Sequence, residues 1–340
     1  MSRPRLSVAL CCYNGALFVR QQIESILAQS LPVDEIVVCD DGSSDHTPEI
    51  VAALAAQSAV PLALHRNSRR LGSTGNFELA ISLTRGDIVF LSDQDDLWYP
   101  NKVRDMVREF ERRDDLLLLH TDARLVNARG EPLGLTVFEG LEVTRWERTQ
   151  LHSGGAFSAL VRRNLVTGAT AAFRREVFEL ARPFPNEWIH DEWLGLIAAA
   201  SGTVDFLEYP LIDYRQHGGN QIGVPLLSWR AKLRQVVHAR GDFHRKLEHR
   251  ARVLFDRLQA LGNRVPPDRR DWVGEKLLHA HVRGHLPSNR WARLPIVIQE
   301  LSTGRYRRCS TGWRSVARDL IEPIHQVESA GVPQGAERPD

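Results

Sequence analysis

The first 120 residues alternate between short apolar runs and segments with helical spacing, and this alternation constrains the fold more than any other feature. The predicted strands are the continuous apolar runs at residues 6–12, 35–39, 61–65, 87–92 and 116–120. The predicted helices are the segments between them, at residues 16–30, 47–57, 74–84 and 100–113. Continuous apolar strands that alternate with helices predict a mostly parallel central sheet with helices on both faces, an α/β architecture.

The pattern is less regular after residue 130. We predict a strand with a glycine kink at 166–170, helices at 174–181 and 189–200, a strand pair at 204–214 interrupted by Pro210, and basic helices from Trp229 onward. Pro266, Pro267 and Pro287 are expected to break these last helices, because proline lacks the backbone N–H that a helix interior uses.

The near-neutral charge of the chain hides two parts of opposite sign. The 340 residues include 44 Lys or Arg and 42 Asp or Glu, a net charge of +2, which gives no indication of nucleic-acid binding. Residues 228–320 carry 21 Lys or Arg and 8 Asp or Glu, a net charge of +13, so the rest of the chain carries −11. The acidic part can hold a cation. The basic part can face phosphates or acidic lipids, or it can be a solvated helix face.

The cysteines and the apolar runs favour a cytoplasmic protein. Cys11, Cys12, Cys39 and Cys309 lack metal-ligand spacing, and burial in a reducing compartment is their expected role. The apolar run at 6–11 is too short for a signal peptide and lacks a small-residue cleavage site. No apolar stretch approaches the roughly 20 residues of a membrane span.

Polar clusters follow three of the predicted strands. They are Tyr13-Asn14, Asp40-Asp41 and Asp93-Gln94-Asp95-Asp96. In open α/β sheets ligands bind at the carboxyl ends of the strands, where these clusters lie. Three carboxylates within four residues repel one another unless a cation or hydrogen bonds compensate, and oxygen ligands suit Mg²⁺ or Mn²⁺ better than Zn²⁺. For each cluster a turn or a helix cap is the alternative interpretation.

Two further polar groups lie later in the chain. His190-Asp191-Glu192-Trp193 begins the predicted helix at 189–200, where a carboxylate is either a general base or a partner of the helix dipole. His217 ends the segment Tyr214-Arg215-Gln216-His217, and alone it is either a metal ligand or an ordinary histidine. The order of all these groups along the chain is more informative than any one of them.

In that order the groups resemble the inverting family 2 glycosyltransferases with the GT-A fold, and more narrowly their rhamnosyltransferase-like branch. The resemblance covers about residues 5–225. The matching segments are SVALCCYNG at 7–15, EIVVCDDGSSD at 35–45, Gly72 with NFE at 76–78, LSDQDDLW at 91–98, VTG at 166–168, HD at 190–191 and YRQH at 214–217. The GT-A fold implies a Rossmann-like, mostly parallel sheet, here followed by a basic helical extension.

The resemblance implies a role for each group. The family transfers a sugar from a nucleotide diphosphate to a hydroxyl, with a divalent cation, Mn²⁺ or Mg²⁺, as cofactor. Asp95 is the implied metal ligand, with Asp93 at the ribose or the metal shell and His217 at the metal or phosphate. The implied nucleotide-sugar contacts are Cys11, Tyr13, Asp40, Asp41, Asn76, Asp93 and Gly168. Asp191 is the implied general base, although Glu192 stands where the family often has an aromatic residue, and this leaves open which of the two acts.

The resemblance also implies partners and an organisation of the chain. We expect residues 1–225 to be the catalytic domain, 226–323 a basic helical region and 324–340 a flexible tail. The donor is dTDP-rhamnose or, close behind, a UDP-sugar, and the acceptor is a glycan or a lipid-linked glycan of the bacterial surface. Trp229, Trp291 and Trp313 are interleaved with basic residues, which suits peripheral contact with anionic lipid at the inner face of the cytoplasmic membrane.

Two other functions remain as alternatives. A sugar nucleotidyltransferase would need a glycine-rich basic loop after the first strand, and CYNG at 12–15 lacks one. A non-catalytic relative that only binds sugar nucleotides is disfavoured by the presence of Asp93, Asp95, Asp191 and His217.

Overall fold

A computed structural model of the protein describes residues 3–217 and 243–321. Trp229, the expected tail at 324–340 and the expected domain boundaries at 225 and 323 lie outside these residues, so they stay predictions. The described chain divides into two compact units. The first contains residues 3–217 together with Val253–Val273, and the second contains residues 243–252 and 274–321.

Nine strands of the first unit form one sheet among the described residues. They are β1 Leu6–Cys12, β2 Glu35–Asp40, β3 Leu62–Arg66, β4 Ile88–Ser92, β5 Leu97–Trp98, β6 Leu116–Asn127, β7 Pro132–Thr136, β8 Ala172–Arg174 and β9 Thr203–Gln216. Their spatial order is β3-β2-β1-β4-β8-β6-β9-β5, with β7 paired to β6. The expected five strands of the first 120 residues are all present, and β1 has the predicted bounds.

The half of the sheet built from β1 to β4 is parallel, because helices return the chain between its strands. These connecting helices are α1 Val19–Leu27, α2 Thr47–Ala55 and α3 Gly72–Leu83. β1, β2 and β4 are buried at every residue, which explains their continuous apolar sequences. The other half is mixed: β8 lies antiparallel between β4 and β6, β9 runs parallel to β6, and β5 runs antiparallel to β9.

The remaining helices of the described chain cover the sheet and build the second unit. They are α4 Lys102–Arg112, α5 Val137–Gly140, α6 Arg145–His152, α7 Ala156–Leu160, α8 Arg175–Ala181, α9 His190–Ser201, α10 Phe243–Ala260, α11 Pro267–Gly284, α12 Arg290–Ser302, α13 Arg305–Cys309 and α14 Trp313–Ile321. Short 3₁₀ helices lie at Gly168–Thr170 and Gly262–Arg264. None of the described helices combines the length and the apolar character that crossing a membrane would require.

Two predicted elements differ from the structure. The kinked strand predicted at 166–170 is a 3₁₀ turn, because the Gly168 N–H donates to Asp191 and the Thr170 N–H donates to Thr167 rather than to a neighbouring strand. The strand pair predicted at 204–214 is a single strand, β9, and Pro210 is accommodated by an irregularity in its pairing with β6.

The second unit has a small apolar core and a buried ionic network. Leu286, Val297, Tyr306 and Val316 form the core. Asp319 accepts two hydrogen bonds from the guanidinium of Arg283, at 2.6 and 2.8 Å, and one from the Tyr306 hydroxyl at 2.7 Å. A buried carboxylate of this kind is stable only because all its partners are in place.

Candidate active site

The loops after β1 and β4 are joined by the side-chain amide of Gln94. The Tyr13 N–H donates to Gln94 Oε1 at 2.8 Å, and Gln94 Nε2 donates to the Tyr13 carbonyl at 3.2 Å. Residue 15 has to be glycine for this contact, because a Cβ there would lie 2.2 Å from Gln94 Oε1. Beside them the Arg70 guanidinium packs over the Tyr13 ring, 3.8 Å from its centroid. Tyr13 is therefore fixed at the edge of the acidic loop, residues 93–96.

Two buried carboxylates at the end of β2 organise the neighbouring loops. Asp40 accepts from the Ser43 N–H at 3.1 Å and from the Ser43 hydroxyl. Asp41 accepts from Asn67 Nδ2 at 2.9 Å and from two backbone N–H groups at the start of α3, at 2.7 and 2.9 Å. Both carboxylates are engaged within the chain, so they shape the wall of the site near Tyr13.

Cys11 and Asn76 lie behind this wall. Asn76 is buried, and its Nδ2 donates to the Cys39 carbonyl at 3.0 Å, which anchors α3 to the end of β2. Cys11 lies opposite Cys39 in the β1–β2 ladder. Burial, followed by the neighbouring cysteines and the carboxylates of Asp93 and Asp41, raises the pKa of the Cys11 thiol well above its usual value. The thiol is therefore neutral and inert as a nucleophile.

The acidic loop meets the end of β9. β5 follows the acidic loop directly and pairs with β9, which brings the last residues of β9 beside the carboxylates. His217 Nε2 lies 2.7 Å from Asp95 Oδ2. The Arg215 N–H donates to Asp96 Oδ1 at 3.1 Å. The tertiary pairing of the two strands, rather than proximity in sequence, thus assembles Asp93, Asp95 and His217.

The donor set of the acidic loop fits a hard divalent cation. Burial, followed by repulsion from neighbouring carboxylates, raises the pKa of Asp93 and of Asp96. Asp96 Oδ2 is buried and has no hydrogen-bond partner among the described residues. Clustered carboxylate oxygens with one imidazole match the ligand preferences of Mn²⁺, and the carboxylates alone match those of Mg²⁺.

A buried lysine lies close to the acidic loop. Lys102, in the first turn of α4, is fully buried; its Nζ donates to the Ala169 carbonyl at 2.7 Å and lies 3.7 Å from the centroid of the Trp98 ring. Burial lowers the pKa of Lys102 to about 7, and the charges of Asp96 and Asp93 oppose this change. In its charged form this lysine offsets part of the negative charge of the acidic loop.

Asp191 begins α9 and is held by three donors. The Gly168 N–H donates to Asp191 Oδ2 at 2.9 Å, while Asn164 Nδ2 and the Glu192 N–H donate to Oδ1 at 3.3 and 2.6 Å. Burial raises the pKa of Asp191 to about 6 in spite of these donors. A fixed carboxylate that loses its proton just below neutral pH is well suited to act as a general base.

His190 and Tyr214 border Asp191. The His190 ring stacks on Phe77 with centroids 3.8 Å apart, and burial lowers the pKa of this imidazole to about 3, so it is neutral. A Cβ at Gly168 would lie 2.8 Å from His190 Nε2, so the packing requires glycine there. Burial raises the pKa of the Tyr214 hydroxyl, with additional contributions from the acidic loop and from Asp191. The acidic loop and Asp191 therefore both act electrostatically on this hydroxyl.

The structure brings together most of the residues singled out from the sequence. His217 contacts Asp95 directly, and the charges of Asp95 and of Asp191 both raise the pKa of Asp93, so the carboxylates of the acidic loop and Asp191 act on one another. The residues of the adjacent wall are Cys11, Tyr13, Asp40, Asp41 and Asn76. Gly168 supports Asp191 through its backbone N–H.

Five residues of the candidate site have no role predicted from the sequence: Gln94, Asp96, Lys102, Asn164 and Tyr214. Gln94, Asp96 and Tyr214 lie inside the matched motifs, so their position was a usable signal. Lys102 and Asn164 gave none. A lysine in the first turn of an amphipathic helix normally faces water, and Asn164 reaches Asp191 through a tertiary contact.

The mixed sheet and the polar groups at the ends of β1, β2 and β4 define the class of protein, a glycosyltransferase with the GT-A fold. The profile of glycosyl transferase family 2 matches residues 7–180, slightly more than half of the chain. The chain belongs to this family. The expected family and fold are thereby confirmed, while the rhamnosyltransferase-like branch stays a prediction.

Three known proteins illustrate the relationship. An uncharacterized glycosyltransferase of Nostoc sp. is 27% identical over 278 residues, 75% of this chain and 84% of the relative. Staphylococcus aureus TarS 1–349, crystallised in complex with UDP-GlcNAc, has a TM-score of 0.56 and 17% identity, covering 82% of this chain and 72% of TarS 1–349. The mannosyltransferase PcManGT of Pyrobaculum calidifontis, in complex with GDP-Man and Mn²⁺, has a TM-score of 0.50 and 21% identity, covering 94% of this chain and 86% of PcManGT.

Proposed function

We propose that this glycosyltransferase moves a sugar from a nucleotide diphosphate to an acceptor hydroxyl in one inverting step, with a divalent cation at the acidic loop. The observation that carries the proposal is the placement of Asp191. This partly buried carboxylate is fixed by three donors, and its charge contributes to the raised pKa of Asp93 in the acidic loop. A single displacement needs a base beside the acceptor hydroxyl and a cation site beside the leaving diphosphate.

The donor nucleotide occupies the wall that begins at Tyr13. Arg70 covers one face of the Tyr13 ring, and the other face offers a flat surface for the base, with the loops fixed by Asp40 and Asp41 as the sides of the pocket. Cys11 and Asn76 support this wall from behind, and Gly168 holds Asp191 on the other side of the donor through its backbone N–H. The diphosphate then extends toward Asp93 and Asp95. The similarity to TarS bound to UDP-GlcNAc and to PcManGT bound to GDP-Man and Mn²⁺ supports this mode of binding.

In the reaction Asp191 takes the proton of the acceptor hydroxyl while the acceptor oxygen attacks the anomeric carbon. A new carbon–oxygen bond forms on one face of the sugar, and the bond to the diphosphate breaks on the other, so the configuration inverts. The electron pair of the broken bond leaves with the nucleoside diphosphate. Asp95, Asp93 and His217 would hold a divalent cation, which would neutralise the charge that develops on the leaving group.

The donor and acceptor classes follow from the family resemblance. We propose dTDP-rhamnose as the donor ahead of UDP-sugars, and a glycan or lipid-linked glycan of the bacterial surface as the acceptor. The nucleophile is the acceptor itself, so no cysteine or serine of the chain forms a covalent intermediate. The neutral, buried thiol of Cys11 agrees with this mechanism.

A donor screen with the full-length protein tests the proposal. dTDP-rhamnose, UDP-glucose, UDP-GlcNAc and GDP-mannose are each added with Mn²⁺ or with EDTA, and both the Tm and the slow release of nucleoside diphosphate are measured. We expect at least one donor to raise the Tm and to be hydrolysed only when Mn²⁺ or Mg²⁺ is present. A folded protein that binds none of these donors under either condition would contradict the proposal.

We also propose that the second unit contacts the cytoplasmic membrane at its inner face. On α12, Trp291, Leu294 and Ile298 are exposed and share one helix face by their spacing, with Trp291 83% exposed. On α14, Trp313 and Ile321 are exposed beside Arg314, with Trp313 73% exposed. Tryptophans and aliphatic residues within a region of net charge +13 are typical of a surface that binds anionic lipid.

Replacing both exposed tryptophans should remove this membrane contact. The double variant Trp291→Ser, Trp313→Ser is expected to bind vesicles of phosphatidylglycerol and phosphatidylethanolamine at least about tenfold more weakly, because two large apolar side chains no longer enter the bilayer. Co-sedimentation measures the binding. The matched control is Trp146→Ser on α6, where the indole is 43% exposed but lies in the first unit. Equal binding by the double variant and the wild type, or no binding by the wild type, would overturn the proposal.

A further inference from the structure

Two histidines lie one helical turn apart at the end of α11, in the second unit. The His285 N–H donates to the His281 carbonyl at 3.1 Å, so the helical turn continues past Gly284. The two imidazole rings lie with their centroids 4.2 Å apart. Histidines at positions i and i+4 share a helix face and can chelate a single metal ion.

Glu248 of α10 faces the same two histidines. Its Oε1 lies 2.9 Å from His281 Nδ1, and its Oε2 lies 3.9 Å from His285 Nδ1. One ligand atom from each of the three residues lies within 4.8 Å of the others. The two helices pack closely here, because a Cβ at Gly284 would be in van der Waals contact with Glu248 Oε2, at 3.5 Å, and with the Cβ of His244, at 3.8 Å. His244 itself precedes Glu248 by one turn on α10.

The ligand types decide which metal suits this cluster. Two imidazole nitrogens and one carboxylate oxygen favour Zn²⁺ over Mg²⁺ or Mn²⁺, which prefer oxygen ligands. The side chains of His281 and His285 are 53% and 60% exposed and that of Glu248 is 20% exposed, so an ion can reach them from solvent.

We infer that Glu248, His281 and His285 form a zinc site that ties α10 to α11, with His244 as the candidate fourth ligand. The site uses none of the residues of the acidic loop, and its ligand chemistry differs from theirs. Its role is to fix the parts of these helices that lie in the second unit against each other, because a bound metal joins groups that lie 33 and 37 residues apart in the sequence. A surface ion pair between Glu248 and the histidines is the competing interpretation.

Cobalt provides a direct spectroscopic test on the full-length protein. The protein is stripped with a chelator, dialysed into excess Mg²⁺ so that oxygen-rich sites are occupied, and titrated with Co²⁺. We expect one equivalent to produce the visible absorption of four-coordinate Co²⁺, and Zn²⁺ to displace it. Absence of these bands in the wild-type protein would overturn the zinc site.

Variants of the cluster separate a metal site from an ion pair. Loss of an outer-shell group that only supports a metal ligand typically weakens metal binding by roughly 10- to 100-fold. His281→Gln and His285→Gln each remove a ligand itself, so each should weaken Zn²⁺ binding by more than that. His249→Gln, next to Glu248 on the same helix, is the matched control and should keep the wild-type affinity. Glu248→Gln gives a second test if a histidine variant fails to fold, as judged by circular dichroism. If the folded variants of His281, His285 and Glu248 bound Zn²⁺ as tightly as the His249→Gln control, these three residues would form a surface ion pair and not a zinc site.

The zinc site and the proposed glycosyltransferase reaction can fail independently. Donor hydrolysis with Mn²⁺ is measured on the same variants and is expected to be unchanged, because none of the three residues belongs to the candidate active site. Lost hydrolysis with retained Zn²⁺ binding would count against the proposed function alone. If the wild type did not bind Zn²⁺ but hydrolysed the donor normally, the result would count against the zinc site alone.

Discussion

Asp191→Asn is expected to lower the rate of sugar transfer by about 10²- to 10⁴-fold, the usual contribution of a positioned general base. The amide side chain has nearly the shape of the carboxylate and keeps an oxygen that accepts from the Gly168 N–H or the Glu192 N–H. It has no affinity for the proton of an acceptor hydroxyl. Steady-state kinetics with the donor found in the screen measure the loss, and calorimetry should give an unchanged donor Kd.

Glu192→Gln is the matched control, because the sequence leaves open which of the two adjacent carboxylates is the base. The structure favours Asp191, whose carboxylate is fixed by Gly168 and Asn164 and whose pKa is raised to about 6. We expect Glu192→Gln to retain most of the transfer rate. A loss as large as that of Asp191→Asn would move the role of base to Glu192.

The pH dependence distinguishes a missing base from a damaged fold. Only the deprotonated carboxylate accepts a proton, so kcat/KM of the wild type should rise with pH through about 6 and then level. Since folding raises the pKa of Asp191, its contribution to stability is greatest below the unfolded value near 4 and is lost as pH rises through about 6. Above pH 6 the wild type therefore has to hold a charged carboxylate in a site that favours the neutral form. Asp191→Asn has no such charge, so its Tm at pH 8 should equal or exceed that of the wild type. A lowered Tm would indicate a structural role instead.

The sheet was predictable because its first strands are buried on both faces. Leu6–Cys12 is apolar at nearly every position, and in the structure every residue of β1 is buried. Polar residues at the ends of such strands then have few functions other than turns and ligand contacts. The same logic fails at Gly168, which a periodic pattern places in a strand but which donates its N–H to Asp191.

The contacts that complete the site depend on tertiary structure. His217 reaches Asp95 because β5 pairs with β9, and no local pattern encodes a pairing between segments so far apart in the chain. Lys102 is buried although its helix has a regular polar face, because the acidic loop and Trp98 surround its ammonium group. Motifs therefore identified the chemical groups of the site, while the non-local strand pairing and packing determined how those groups meet.

Asp95→Asn is expected to weaken Mn²⁺ binding and to lower metal-supported transfer by about 10²-fold or more, because the charge on the leaving diphosphate is no longer neutralised. In the wild type, EDTA should cause a similar loss that Mn²⁺ or Mg²⁺ restores. Asp95 Oδ2 lies 2.7 Å from His217 Nε2, and the charge of Asp95 raises the pKa of both Asp93 and Asp96. Binding is measured by the paramagnetic effect of Mn²⁺ on water relaxation.

The stability of the metal-free protein should change in the opposite direction to its metal affinity. Removing one of three clustered carboxylates relieves repulsion, so metal-free Asp95→Asn should be at least as stable as the wild type. The matched control is Asp213→Asn on β9, which keeps an oxygen that can accept from the Tyr99 hydroxyl and Arg124 Nε but removes the negative charge and the oxygen that accepts from Arg124 Nη2 at 2.8 Å. This control should lose stability and keep its Mn²⁺ affinity. Loss of a metal ligand should weaken Mn²⁺ binding without lowering the Tm. If Asp95→Asn instead lowered the Tm and left the Mn²⁺ affinity intact, Asp95 would be a structural partner of His217 and not a metal ligand.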